Sequence, residues 1–488
     1  MKSAFKAPEF ISEKECDWII KEARILAENT ALNCEGTEEF NECLRQYGCR
    51  IEKGEINFPS AVLDSLFQRI EAQAETITEG SFARAADLPA MDFRDDDKFH
   101  YGISGQAGLI CDVSGKLRPC MTEDLEHFAR MADTFPELEW HHPAMIPQDA
   151  PVRNRELHAY ATIAMNNSSP RLVSAYSKEA IRYFMEISEV CYGTRERARR
   201  EAPFIHQLWI NTPFTIDGAV LEGALEARRV LGRPVKIVNM PVAGATAPVT
   251  IAGCLVVGTA EMLMANIITL ALDNCLNGYF SAPIAMDVRR GIFTTGPETS
   301  LLRFGAANIA RRLFRNNRMV FQSFGLGTTA KTPGAQSMME KSLGGAWALS
   351  CGARVMGALS TLAFSDVISP VQLLLDIELS HELERMAKGI RVNEKTLAVE
   401  LIRRVVPTGS RFMEDEHTLE NYADEQWNPM FTDRSSAMTW QQNPKDMLDL
   451  ATAKAHELWN SAPNKSPLTE AQKNEIRKIL SIADKEMA

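Results

Sequence analysis

The 488-residue chain has no surplus of basic residues. Lys plus Arg is 53 against 64 Asp plus Glu, a net charge of −11. That balance excludes a basic nucleic-acid footprint or a surface built for anionic membranes. Cysteine is sparse: ten residues are scattered from Cys16 to Cys351 without one CxxC pair, which excludes a disulfide scaffold. The nine histidines form no HExxH and no Cys/His set at zinc spacing, so no metal site is predicted. There is no GxSxG, so a nucleophile-elbow hydrolase is not indicated. The opening residues, MKSAFKAPEFISEKECDW, lack an apolar core and a cleavage site. They predict no signal peptide and a cytoplasmic protein with reduced thiols. The longest uncharged run, Ile237 to Ala260, has the length of a membrane span. It is broken by Pro241, Pro248 and Asn239, which predict a buried strand, turn and helix instead.

What is present is an ordinary globular composition, 45% hydrophobic and 24% charged, with enough apolar surface to offset chain entropy. Three regions are expected: a helical N-terminal cap over 1–95, a (β/α)8 TIM barrel over 96–413, and a helical C-terminal tail over 414–488. In the cap, Cys16, Ile19, Ile20, Ala23, Leu26 and Ala27 follow the spacing of one buried helix face. Pro59 opens a second helix. Between them, Gly48–Phe58 alternates like a small hairpin. The polar run MDFRDDDKF, Met91 to Phe99, reads as a connector.

From about residue 100, short apolar runs alternate with helical stretches. Strands are predicted near 138–144, 172–176, 205–210, 235–240, 284–287, 319–324 and 355–360. Helices are predicted near 178–191, 218–231, 249–272, 301–314, 335–350 and 370–388. Such alternation implies a parallel sheet, and seven visible strands favour a closed barrel. The eighth strand is expected at 108–113 or near 410–413.

Few motifs rise above this rhythm. Gly325-Leu-Gly-Thr-Thr-Ala330 matches GxGxxA, but no acidic residue ends the next strand, as a dinucleotide fold requires. A glycine-rich loop on the barrel's catalytic face fits better. Ala243–Pro248 predicts a helix start with Thr246 or Ala247 as N-cap and Pro248 in the first turn, leaving N–H groups free for an anion. His141 and His142 should point to opposite faces of a strand. Asp376 and Glu378, two apart on a helix, read as solvated or helix-pairing charges. Aromatic residues cluster at predicted strand ends: Trp140, Tyr176, Trp209, Phe214, Phe324 and Phe364. Together they suit a mouth that binds a quaternary ammonium by cation–π attraction.

Several segments, in order, carry a resemblance. They are YGCRIEKGEINFP, GLICDVSGKLRPCMTEDL, PQDAP at Pro147–Pro151, PVAGATAPVT at Pro241–Thr250, TTAKTPGAQSMMEK at Thr328–Lys341, SPVQLLLDIEL at Ser369–Leu379, HTLENYADEQWNP at His417–Pro429 and DRSS at Asp433–Ser436. The chain resembles the trimethylamine methyltransferase family of corrinoid-dependent enzymes. The resemblance implies a (β/α)8 barrel, methyl transfer to a cobalt corrinoid on a separate cognate protein, no tightly bound cofactor, and a homo-oligomer. The family's founding activity uses pyrrolysine in the loop after the sixth barrel strand. This chain has standard residues throughout, including Gly325–Gly334. Members without pyrrolysine resemble enzymes for quaternary amines such as glycine betaine, proline betaine, carnitine or γ-butyrobetaine.

The chemistry supports that division. A tertiary amine would leave as an amide anion and needs an activating partner, whereas a quaternary ammonium leaves as a neutral amine. The protein then has only to position the methyl group. The expected substrate wall is Tyr101, Trp209, Phe214, Phe324 and Phe364. Backbone of Gly244–Thr246 and of the 325–334 loop, with Lys331 or His206, is expected to take a carboxylate. The loops Thr212–Phe214, Ala243–Thr246, Phe324–Thr328 and Ser360–Phe364 should converge at one end of the barrel. Other readings are a methyltransferase for another N-methyl compound or a different acceptor, a non-catalytic betaine sensor, and a nicotinamide-dependent oxidoreductase resting on GLGTTA.

Overall fold

The computed structural model of the protein describes residues 9–74, 99–103, 105–168, 173–174, 177–202, 204–205, 207–315, 321–323 and 325–487. The connector at Met91–Phe99 lies outside these residues except for Phe99.

Ser12 opens the first helix, Glu13–Asn29. Its side chain caps the Glu15 N–H, and the Glu15 carboxylate accepts from the Ser12 N–H at 2.7 Å. The predicted stripe of Cys16, Ile19, Ile20, Ala23 and Ala27 is buried. It packs into the same core as the long apolar helix Ile251–Asp273. The hairpin Arg50–Glu52 with Glu55–Asn57 is antiparallel, as the alternation predicted. Strand Leu32–Cys34 joins this hairpin to the body by pairing in parallel with Thr215–Ile216.

The body is mixed α/β with parallel strands in cyclic order. His100–Ile103 pairs with Leu138–His141. Val173–Ser174 pairs with Phe204–Ile205, and Gln207–Ile210 pairs with Lys236–Asn239. Asn239 bridges Ser281, and Val242–Ala243 pairs with the start of Ile284–Asp287. Phe321–Ser323 pairs with Ala353–Leu359, which pairs in turn with His100–Ile103, so the last strand lies beside the first. Among the described residues no ladder joins Leu138–His141 to Val173–Ser174, or Ile284–Asp287 to Phe321–Ser323.

His100–Ile103 is a parallel strand that the sequence did not predict, and neither expected segment pairs with these strands. Leu109–Cys111 pairs antiparallel with Leu117–Pro119 and in parallel with Val367–Ile368, in a small separate sheet. Residues near 410–413 enter a one-turn helix, Phe412–Glu414. Only four residues form the true strand, too few to show alternation beside a polar run. The helices Gly218–Leu231 and Ala335–Ser350 begin and end as predicted, and the run Ile237–Ala260 divides into strand, turn and buried helix. Helix Ile251–Asp273 is long and apolar enough to cross a membrane, but 78% of its most apolar window is buried inside the protein. Helices Thr122–Ala132 and Arg155–Asn166 were not predicted from the sequence.

For Asp376 and Glu378 the solvated reading fails, and the helix-pairing one holds for Asp376. Both are buried in helix Pro370–Ala387 and neither is solvated. Being two apart, they face different neighbours. Asp376 pairs with buried Lys341 at 2.7 Å. Glu378 accepts from the backbone N–H groups of Met430, Phe431 and Thr432 and from the Thr432 hydroxyl, which docks the C-terminal tail.

Candidate functional site

Several of the chain segments that follow the parallel strands touch one another. After the first two strands, the His142 N–H donates to Ile103 O, and its Nδ1 lies 2.8 Å from Gly105 O. Burial holds the His142 pKa below the ordinary value, so the ring is neutral near pH 7. His141 packs its ring edge-on against Phe128 of the neighbouring helix, so the two histidines do part, as expected. After strands Phe321–Ser323 and Ala353–Leu359, the Phe364 N–H donates to Thr328 O and the Ala363 N–H to Ala330 O. The hairpin after Ile284–Asp287 adds Phe293, whose ring lies 5.2 Å from that of Phe364. A Cβ on Gly244 would come within 2.7 Å of Val288, so that glycine lets the segments after the fifth and sixth strands touch. Of the expected convergence, the described residues show the contact between the 328–330 and 363–364 segments; Phe324 itself lies outside them.

The loop after the eighth strand is strained. Ala358, Ser360, Ala363, Phe364 and Ser365 all have positive φ, which L residues adopt only when their surroundings impose it. The imposition is visible. Asp376 Oδ2 accepts from the Ser360 N–H at 2.7 Å, and Lys341 Nζ donates to both Asp376 and Ala358 O. The neighbouring 325–330 loop is pinned by Glu340, which accepts from the Thr329 N–H and the hydroxyls of Thr328 and Thr329. A carboxylate therefore occupies the place where a dinucleotide would need a phosphate, which argues against the nicotinamide reading.

The expected wall residues separate into groups. Trp209 is half-buried, on the strand face opposite Leu208 and Ile210, both of which are in the core. Phe364 is half-buried on the rim beside Phe293. Tyr101 instead turns outward: its hydroxyl donates to Ser380 O in helix Pro370–Ala387, and the ring is buried. Phe214 packs into the core shared with the N-terminal helices. Both leave the mouth because their strand parity, or the turn they end, directs them to the helix layer. His206, Phe324, Tyr176 and the side chain of Trp140 lie outside the described residues.

The expected anion clamp is also corrected. The N–H groups of Ala245, Thr246 and Ala247 all donate to Val242 O, and that of Gly244 donates to Ala247 O. Thr246 Oγ1 accepts from the Val242 N–H. The turn thus uses its own donors, and the helix begins only at Ile251 with Thr250 as N-cap. Lys331 is exposed and donates to Thr329 O within its own loop.

One residue at this end escaped the sequence reading. Glu261, buried in helix Ile251–Asp273, accepts from Asn239 Nδ2 at 2.6 Å, the Thr212 hydroxyl at 2.8 Å and the Phe214 N–H at 3.0 Å. It ties the ends of two neighbouring strands together. Its signal was in plain view as the charge that terminates the long uncharged run. Burial raises its pKa to about 7, with its three donors opposing the rise. Between the ordinary value of 4.5 and about 7 the native state holds the proton that the unfolded chain releases, so stability falls as pH rises through that window. The linkage amounts to about 3 kcal/mol. Glu261→Gln, which cannot ionise, should gain about that much relative to wild type between pH 5 and pH 7.5. Urea unfolding of both proteins at the two pH values measures it, and parallel profiles would refute the assignment.

The family described as trimethylamine methyltransferase (MTTB) matches residues 1–488. A glycine betaine methyltransferase from Desulfitobacterium hafniense (strain Y51) is 27% identical over 361 residues, 72% of each chain. A trimethylamine methyltransferase, MttB, from Methanosarcina barkeri (strain Fusaro / DSM 804) is 27% identical over 310 residues, 63% of this chain and 61% of that protein. Another MttB, from Desulfitobacterium hafniense (strain DSM 10664 / DCB-2), is 24% identical over 344 residues, 70% of this chain and 67% of that protein. With the match running over all 488 residues, the chain belongs to the trimethylamine methyltransferase family.

Proposed function

We propose that the protein transfers a methyl group from a betaine-type quaternary amine to the Co(I) corrinoid of a cognate partner protein. The family match over the whole chain carries this reading, and the similarity to a glycine betaine methyltransferase directs it to quaternary amines. A reduced corrinoid supplies a nucleophile that accepts a methyl cation. The N–CH3 bond breaks, its electron pair stays on nitrogen, and the amine leaves neutral. The protein's share is to hold the ammonium against aromatic faces and to aim one methyl group outward. Trp209, Phe364 and Phe293 are the described rings placed for this, with Phe324 and His206 kept as further candidates. The cyclic order of parallel strands supports an eight-stranded barrel whose mouth receives the corrinoid domain. The protein is read as a homo-oligomer of the cytoplasm.

The test is to mix the protein with a Co(I) corrinoid protein and a panel of betaines. Loss of the Co(I) absorbance that depends on both enzyme and betaine is the expected result. A protein whose melting temperature rises with betaine while the Co(I) absorbance persists would be a sensor, and the transfer reading would fall.

A further inference from the structure

The strand pair Gln207–Ile210 and Lys236–Asn239 has two distinct faces. Leu208, Ile210 and Ile237 point into the core under the helices, and Asn239 reaches Gly258 O and Glu261 in helix Ile251–Asp273. The register pairs Gln207 with Lys236 and Trp209 with Val238, so these four share the opposite face, inside the strand ring. Phe280 joins them. Asn239 bridges Ser281, which sets Phe280 level with Val238, while the preceding Tyr279 turns to the helix layer and bonds Thr259.

On this inner face Lys236 carries its ammonium 3.4 Å from the centroid of the Phe280 ring. Among the described residues it has no carboxylate within ion-pair distance, unlike buried Lys341, which sits on Asp376. Burial lowers its pKa to about 7. A lysine inside a protein without a counter-ion is costly unless an anion arrives to pair with it. The residue as a whole is half-buried. The half-buried Trp209 stands on the adjacent strand of the same face.

We infer that Lys236 binds the substrate carboxylate inside the strand ring, and so selects quaternary amines that carry an acid group over those that do not. The inference rests on the proposed quaternary-amine reading and adds the residue that reads the substrate's second charge. An ammonium on one side and an indole on the other complement a zwitterion. The carboxylate meets Lys236, and the trimethylammonium end is left to the aromatic faces. The same positive charge repels a ligand that is only cationic, such as tetramethylammonium.

Calorimetric titration of the full chain with glycine betaine and with tetramethylammonium tests this, on wild type, Lys236→Met and Lys236→Arg. Lys236→Met keeps length and removes the charge. It should weaken glycine betaine on the order of tenfold to a hundredfold, the worth of one charge-assisted hydrogen bond. It should leave tetramethylammonium unchanged or tighter. Lys236→Arg should restore much of the preference. Thermal melts identify any variant that fails to fold, and the Arg variant then carries the comparison. Equal losses for both ligands in Lys236→Met, or an unchanged affinity for glycine betaine, would overturn the role of Lys236 alone. A wild-type protein that binds neither ligand would overturn the quaternary-amine reading beneath it.

Discussion

Asp376→Ala should cost the protein about 3–5 kcal/mol of stability, because it strands the Lys341 ammonium in the interior without a partner. Both side chains are wholly buried, and they meet at 2.7 Å. Burial pushes the Asp376 carboxyl up and the Lys341 ammonium down, and each charge opposes the other's shift. The carboxylate also accepts from Gln372 Nε2 and the Ser360 N–H. Removing both charges together, as Lys341→Met with Asp376→Leu, should recover most of the loss, since apolar residues of similar volume satisfy the same space. The two outcomes separate a buried pair from a packing defect. Urea unfolding of wild type, single and double variants measures them, and a single-variant cost under about 1 kcal/mol would show that the pair is solvated.

The pair does more than hold two helices. By holding Ser360 it fixes the run of positive-φ residues that includes Phe364. The double variant should therefore refold well yet lose substrate affinity, as the Ser360 N–H loses its acceptor and Phe364 relaxes off the rim.

The second large effect concerns substrate charge. If Trp209 and Phe364 face the trimethylammonium group, the protein should prefer a betaine over its neutral tert-butyl isostere by tenfold to several hundredfold. Cation–π attraction is worth about 0.5–2 kcal/mol per well-placed ring, less what is lost in desolvating the cation. Trp209→Ala or Phe364→Ala should reduce that ratio, and Phe364→Tyr should largely keep it. Titration calorimetry of both ligands against each variant gives the ratio directly. Equal affinities in the wild type would remove the aromatic cage from the mechanism. A preference that survives both Ala substitutions would assign it to other rings, among which Phe293 stands first by its contact with Phe364.

Much of the framework was legible from residues alone, because it is set by local chemistry. Helix Gly218–Leu231 shows why. Asp217 caps the N–H groups of Ala219 and Val220, and Gly232 ends it with a left-handed φ of 66°. Both signals lie within one turn of the element they bound. Strands such as Gln207–Ile210 were found by their apolar runs, and family membership by motifs spread along the chain. His100–Ile103 was not found, since four residues carry no period, and its place beside Ala353–Leu359 is a pairing between distant segments.

The site was only partly legible, for the same reason. Composition and spacing said that aromatics gather where strands end, but not which way each one turns. Tyr101 and Trp209 both sit on parallel strands, yet one is buried against Ser380 and the other looks inward. That choice depends on strand parity and on a β-bulge between Tyr101 and Gly102, features of pairing rather than of sequence. Charges follow the same rule. Asp376, Glu378 and Glu261 look alike in sequence, as acids on apolar helices. One holds a buried lysine, one docks the tail and one joins two strand ends. The sequence by itself determined most of the helices, the strand rhythm and the family, because neighbours in the chain decide those. Only the tertiary structure decided which charges are buried and which rings meet, because burial and contact belong to residues far apart in the chain and are settled by packing.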